Sequence, residues 1–163
     1  MGSLSGGFSA LEPSGSLGPM RILGLDLGSK RIGVALSDPD GTIASPLTTL
    51  ARQGGERDLA ALVDLARLHE VGAIVVGLPL HMDGRRGPEA KAARTFARRL
   101  STATGLPVET LDERLTTVEA ERALRESGHK GKERRAVIDS VAAAILLRTW
   151  LELRRARQPG MAG

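Results

Sequence analysis

Three acidic side chains, far apart along the chain, could do chemistry together. Asp26 stands inside the apolar string Ile22-Leu-Gly-Leu-Asp-Leu-Gly28. Desolvating a carboxylate on such a strand costs on the order of several kcal/mol unless a positive charge compensates it. Glu113 follows Asp112 where an apolar run ends, and Arg114 comes next. Functional groups of α/β sheets gather at the carboxyl ends of their parallel strands. Asp139 lies between Val137-Ile138 and the apolar stretch that starts at Val141. That is about two turns into an expected helix, beyond the first turn where a carboxylate gains from the helix dipole. Each acid also has a plainer reading: Asp26 as a cap on a hairpin turn, Glu113 as a solvated loop acid paired with Arg114, Asp139 as an exposed helix residue. Asp112 competes with Glu113 for the same part.

If these acids meet, their charges decide the chemistry. Two carboxylates ~4 Å apart repel by roughly 4 kcal/mol at an effective dielectric of about 20. A cluster of them is stable only around a cation, or with one acid protonated. The chain has no cysteine, and its three histidines (His69, His81, His129) show no ligand spacing. A metal would therefore be held by oxygen, which points to magnesium, with manganese as the substitute. A pair of divalent cations roughly 3.5–4 Å apart activates a water and steadies the leaving oxygen of an in-line displacement. No organised serine nucleophile or histidine base competes with that chemistry.

The elements that must position these acids follow from hydrophobic periodicity. Ile22 to Leu27 and Ile32 to Ser37 are short apolar runs separated by Gly28-Ser29-Lys30-Arg31, a hairpin signal. Pro39-Asp40-Gly41 is a second turn, leading into a third strand from about Thr42 to Leu50. Leu59, Leu62, Val63 and Ala66 recur at helical spacing, and Ala73 to Val76 reads as a buried strand. A basic helix is expected from about Pro88 to Ala103, then a fifth strand over Pro107 to Leu111. The spacing Thr116-x-x-Glu119 predicts a capping box opening a helix to Glu126, and a last helix runs from about Glu133 to Arg155. The order predicts an α/β fold with a mixed sheet, an antiparallel meander plus two parallel strands flanked by helices.

Composition sets limits. Of 163 residues, 41% are hydrophobic and 26% charged, as in a soluble globular domain. The longest apolar run, Val141 to Leu147, is too short to cross a bilayer, so no membrane partner is expected. Residues 1 to 19 are rich in Gly and Ser and read as a flexible extension, with Met20 as the expected natural beginning. One domain is expected over 20–155, followed by a flexible tail over 156–163. No signal-peptide pattern precedes it, so a cytoplasmic location is expected. The net charge of +4 favours anionic partners, and nucleic acid is the polyanion that suits it. Aromatics are only 2%, so any such contact would go to phosphates rather than to stacked bases. The candidates for it are Lys30 and Arg31 beyond Asp26, Arg114, the helical trio Lys91, Arg94 and Arg98, and Lys130 and Lys132 in a basic loop.

Four segments sharpen the reading: Gly24-Leu-Asp-Leu-Gly-Ser-Lys-Arg-Ile-Gly-Val-Ala35, Val75-Val-Gly-Leu-Pro-Leu-His-Met-Asp-Gly84, Leu111-Asp-Glu-Arg-Leu-Thr-Thr-Val-Glu-Ala120 and Ile138-Asp-Ser-Val-Ala-Ala143. In this order they resemble the YqgF/RuvX family, over essentially Met20 to Glu152. The resemblance implies an RNase-H-like fold with a metal-dependent nuclease site. It implies either 5′-end maturation of the small-subunit ribosomal RNA precursor or resolution of Holliday junctions. It selects Asp26, Glu113 and Asp139 as catalytic and metal-binding, with Asp83 as a conceivable helper. His81 stands where that family usually has asparagine, and a neutral imidazole also donates and accepts hydrogen bonds. A junction resolvase would be a homodimer, to make two symmetric cuts, whereas an RNA-trimming nuclease can be a monomer. Asp26-Leu-Gly28 with its hairpin also resembles the phosphate loop of actin- and hexokinase-type phosphotransferases, but those need two such domains. A non-catalytic nucleic-acid-binding assembly factor is the rival of another class.

Overall fold

The computed structural model describes residues 20–79, 87–126 and 131–157. Among the described residues, five strands make one mixed sheet: β1 (Arg21–Leu27), β2 (Arg31–Ser37), β3 (Ala44–Ala51), β4 (Val71–Leu78) and β5 (Val108–Asp112). Their spatial order is β3-β2-β1-β4-β5. The β3-β2-β1 half is antiparallel and the β1-β4-β5 half is parallel, as the sequence predicts. Among the described residues, four α-helices flank it: α1 (Gly55–Leu68), α2 (Pro88–Thr104), α3 (Val118–Glu126) and α4 (Lys132–Ala156).

Alternation along the strands sorts the helices onto two faces. Leu23, Leu25, Ile74 and Val76 pack against Leu59 and Leu62 of α1 and Phe96 and Leu100 of α2. Ile22, Ala35, Ala73 and Val75 pack against Ala143, Leu146, Leu147 and Trp150 of α4. The central strands, covered on both faces, therefore read as nearly continuous apolar runs. No described helix is long and apolar enough to cross a membrane.

Several predicted boundaries shift by one or two residues. α3 begins at Val118, just past Thr116, whose hydroxyl caps it as the sequence predicts, while the side chain of Glu119, the other half of the expected capping box, lies outside the described residues. The Thr116 hydroxyl donates to the Glu113 carbonyl at 2.8 Å and accepts from the Val118 N–H at 3.1 Å. The resulting 3₁₀ turn, Glu113–Leu115, fixes the backbone that carries Glu113 just past β5.

Candidate active site

Asp26 is the penultimate residue of β1 and 6% exposed. By strand alternation its side chain faces α4, as Gly24 does against Leu147. Its cross-strand partner on β2 is Gly33. On the other side Leu25 pairs with Val76, so Gly77 runs alongside Asp26 on β4. The acid thus has a glycine on either flank, and both gaps are filled by the other two acidic residues. A Cβ on Gly33 would stand 2.0 Å from the main-chain oxygen of Asp139. A Cβ on Gly77 would stand 2.6 Å from Oε2 of Glu113 and 2.3 Å from Cδ1 of Leu146. The two glycines let α4 and the end of β5 close in on the strand that carries Asp26.

Two of the three acids share a cation. Arg122, on α3, donates through Nη2 to Oδ2 of Asp26, and the same nitrogen lies 3.8 Å from Oδ1 of Asp139. Asp139 is 8% exposed and also accepts from Nε of Arg31 at 2.5 Å. Burial of both aspartates is tolerable because these guanidiniums neutralise them. Glu113 sits one strand over, above Gly77. Among the described residues, no three carboxylate or imidazole side chains stand close enough to grip one ion together. The arrangement is a pair of aspartates around a guanidinium, with a third carboxylate beside it.

Asp112 has other business. Its Oδ2 accepts from Nη2 of Arg114 at 2.6 Å, and its Oδ1 takes the Arg114 N–H at 2.9 Å. The Arg114 hydrogen bonds hold its carboxyl below the usual aspartate range. Asp112 and Arg114 therefore form a local pair at the rim.

The hairpin tip that follows Asp26 is braced from below. Arg52 donates to the Gly28 carbonyl at 2.9 Å and, through its main chain, to Lys30 at 2.9 Å. Its Nε meets Oδ2 of the buried Asp58 at 3.1 Å, and its guanidinium covers the Phe96 ring. Lys30 is exposed at the tip, while Arg31 is committed to Asp139. The trio on α2 divides. Ala90 and Ala93 pack on Leu27 and Leu78, which sets Lys91 near the strand ends that carry Asp26. Arg98 is about two turns further along a helix on the opposite face of the sheet from α4. Lys91 and Arg98 are exposed and Arg94 is half-buried. Asp83, His81 and Lys130 lie outside the described residues, as does the side chain of Lys132.

Sequence reasoning missed Arg122, Gly33 and Gly77. An isolated glycine within a strand is a signal of close backbone approach, and it was available at both positions. Nothing local marks Arg122, whose partner Asp26 is 96 residues away.

Residues 20–153 match the profile of RuvX, described as a Holliday junction resolvase. A protein of Anaeromyxobacter sp. (strain Fw109-5) named "Putative pre-16S rRNA nuclease" is 51% identical over 137 residues, 84% of this chain and 100% of that one. A protein of the same name from Moorella thermoacetica (strain ATCC 39073 / JCM 9320) is 53% identical over 133 residues, 82% of this chain and 95% of that one. Among solved structures, T. thermophilus RuvC in complex with Holliday junction substrate superposes with a TM-score of 0.53. It is 17% identical and is matched over 84% of this chain and 96% of its own, a likeness of fold alone.

Proposed function

This chain belongs to the RuvX family, and from that premise we propose that it is a nuclease that hydrolyses phosphodiester bonds in the precursor of 16S ribosomal RNA, maturing its 5′ end. The observation that carries the reading is the meeting of Asp26 and Asp139 around one positive charge, with Glu113 beside them over Gly77. Two buried carboxylates brought together across the fold offer the oxygen donors that a hard divalent ion takes, once the guanidinium between them gives way. Asp26 and Asp139 would hold magnesium, or manganese in its place, and Glu113 would have to close in from over Gly77 to join them. Held there, such an ion would supply charge neutralisation at the phosphate and lower the pKa of a water so that its deprotonated form is the nucleophile.

The chain's own residues do the rest. Asp26 is the immobile ligand, fixed by a strand paired on both edges. Arg31 steadies Asp139, so that the α4 carboxylate keeps one orientation. Lys30, Lys91, Arg94, Arg98, Arg114, Lys130 and Lys132 are the proposed contacts to the sugar–phosphate backbone. With so few aromatics, affinity comes from phosphates and falls steeply with salt. The setting proposed is the cytoplasm.

RNA is preferred as substrate because the relatives that bear the rRNA name are about half identical over nearly their whole length. Junction resolution is the second reading, favoured by the family's description. Digesting precursor rRNA and a synthetic four-way junction side by side, with magnesium or with chelator, separates them. The expected result is metal-dependent trimming of the RNA by the parent chain. Asp26→Asn should lose about a hundredfold or more in rate, roughly 3 kcal/mol of barrier, while folding normally. Undiminished cleavage by that variant would sink the assignment.

A further inference from the structure

Arg122 occupies the position between Asp26 and Asp139 where the proposed cation would bind. With Arg31 and Arg122 in place, the two aspartates are already neutralised. A divalent ion entering beside Arg122 would face a like charge at close range, and the shared oxygens cannot serve both. α3 is well suited to yield. Among the described residues its buried apolar anchor is Val118, in a small cluster with Val141, Ala142 and Ile145, while Leu124 is exposed. Among the described residues, the ion pairs of Arg122 with Asp26 and Asp139 help to fasten the middle of the helix.

We infer that Arg122 is the resting counter-ion of the aspartate pair and competes with the divalent cation, so that loading the metal expels its guanidinium and loosens α3. This rests on the metal-binding reading of Asp26 and Asp139. In that reading Glu113 restores the charge balance once Arg122 has left. The helix then reports metal occupancy to whatever lies over it, and the resting protein is kept from wasting stability on two buried, opposed carboxylates.

The test is calorimetric titration of the full chain with Mn²⁺, comparing the parent with Arg122→Gln and Arg122→Lys, and hydrogen exchange over residues 118–126. Arg122→Gln should bind Mn²⁺ about tenfold tighter, the gain expected if Arg122 fills the site in roughly nine chains of ten. The same variant should melt earlier than the parent without metal. Arg122→Lys should keep most of the competition. In the parent, amides of 118–126 should exchange faster once Mn²⁺ is added; in Arg122→Gln they should be fast from the start. Equal or weaker Mn²⁺ binding by Arg122→Gln overturns the inference while leaving the metal site standing, and so does parental exchange that ignores Mn²⁺. If neither chain binds Mn²⁺, the metal reading fails and takes the inference with it.

Discussion

Asp139 presses its main-chain oxygen against Gly33, 2.0 Å from where a side chain would begin. The contact is backbone on backbone, so neither side can step aside by changing a rotamer. Gly33→Ala must push α4 off the sheet, and with it Asp139, whose carboxylate is held by Arg31. Overpacking of this kind costs about 3 kcal/mol, which in a domain of this size lowers Tm by roughly 6–12 °C. Thermal unfolding of the purified variant checks it; a melting point within about 2 °C of the parent would show that α4 is not seated as described.

Gly77 makes a different prediction. A methyl group there would meet Oε2 of Glu113, at the end of a flexible side chain, and Cδ1 of Leu146, which is fully buried in the α4 core. Gly77→Ala should therefore cost about 1–3 kcal/mol of stability and displace the Glu113 carboxylate. Cleavage should fall far more than Tm does. A variant that is as active as the parent would detach Glu113 from the chemistry.

Asp112 and Glu113 can be told apart directly. Asp112 is bound by both the main chain and the guanidinium of Arg114, whereas Glu113 sits over the strand row that contains Asp26. Glu113→Gln should lose about a hundredfold or more in cleavage rate, roughly 3 kcal/mol of barrier. Asp112→Asn should stay within about fivefold, since it loses an exposed ion pair worth roughly 1 kcal/mol or less. The reverse order would reinstate Asp112 in the role the residue types alone left open.

These contrasts mark how far the sequence was legible. Strand and helix order followed from periodicity, because burial of one or both faces writes itself into spacings of two and 3.6 residues. Asp26 was conspicuous as a charge within Ile22 to Gly28, where only a functional or compensated acid survives. Glu113 and Asp139 were candidates by their places at a strand end and beside a core face, and the resemblance of their segments selected them, since a loop acid and a helix acid look alike whether or not they meet anything. Arg122 was invisible because it reads as an ordinary solvated residue on a charged helix, and its meaning depends on contacts made across the fold. The start of α3 sits just past Thr116 for a local reason: its hydroxyl caps the Val118 N–H while also donating to the Glu113 carbonyl, which ties the helix to the turn before it.

A buried carboxyl lies against the far end of α4. Glu109 on β5 accepts from Nε1 of Trp150 at 3.2 Å, but its Oε2 is buried without a hydrogen-bond partner. Burial pushes its carboxyl above the ordinary glutamate range, more than the Trp150 bond and the charges of Arg157 and Arg154 pull it down. A carboxyl whose folded pKa is raised holds its proton longer in the folded chain than in the unfolded one. Stability is then full below the unfolded pKa, about 4.5, and is lost as pH rises through the folded value. At neutral pH the buried charge is a liability. Glu109→Gln keeps an acceptor for Trp150 and removes that charge, so it should raise Tm at pH 7. The gain should be on the order of 2 °C, because solvent still reaches part of the group and screens the effect. The advantage should shrink as pH falls through the folded value and be gone below about 4.5, where the parent's carboxyl is neutral in both states. Melting curves of both proteins between pH 4 and 8 decide it: a variant less stable than the parent at pH 7 would mean that Arg154 and Arg157 stabilise the charge by more than burial costs.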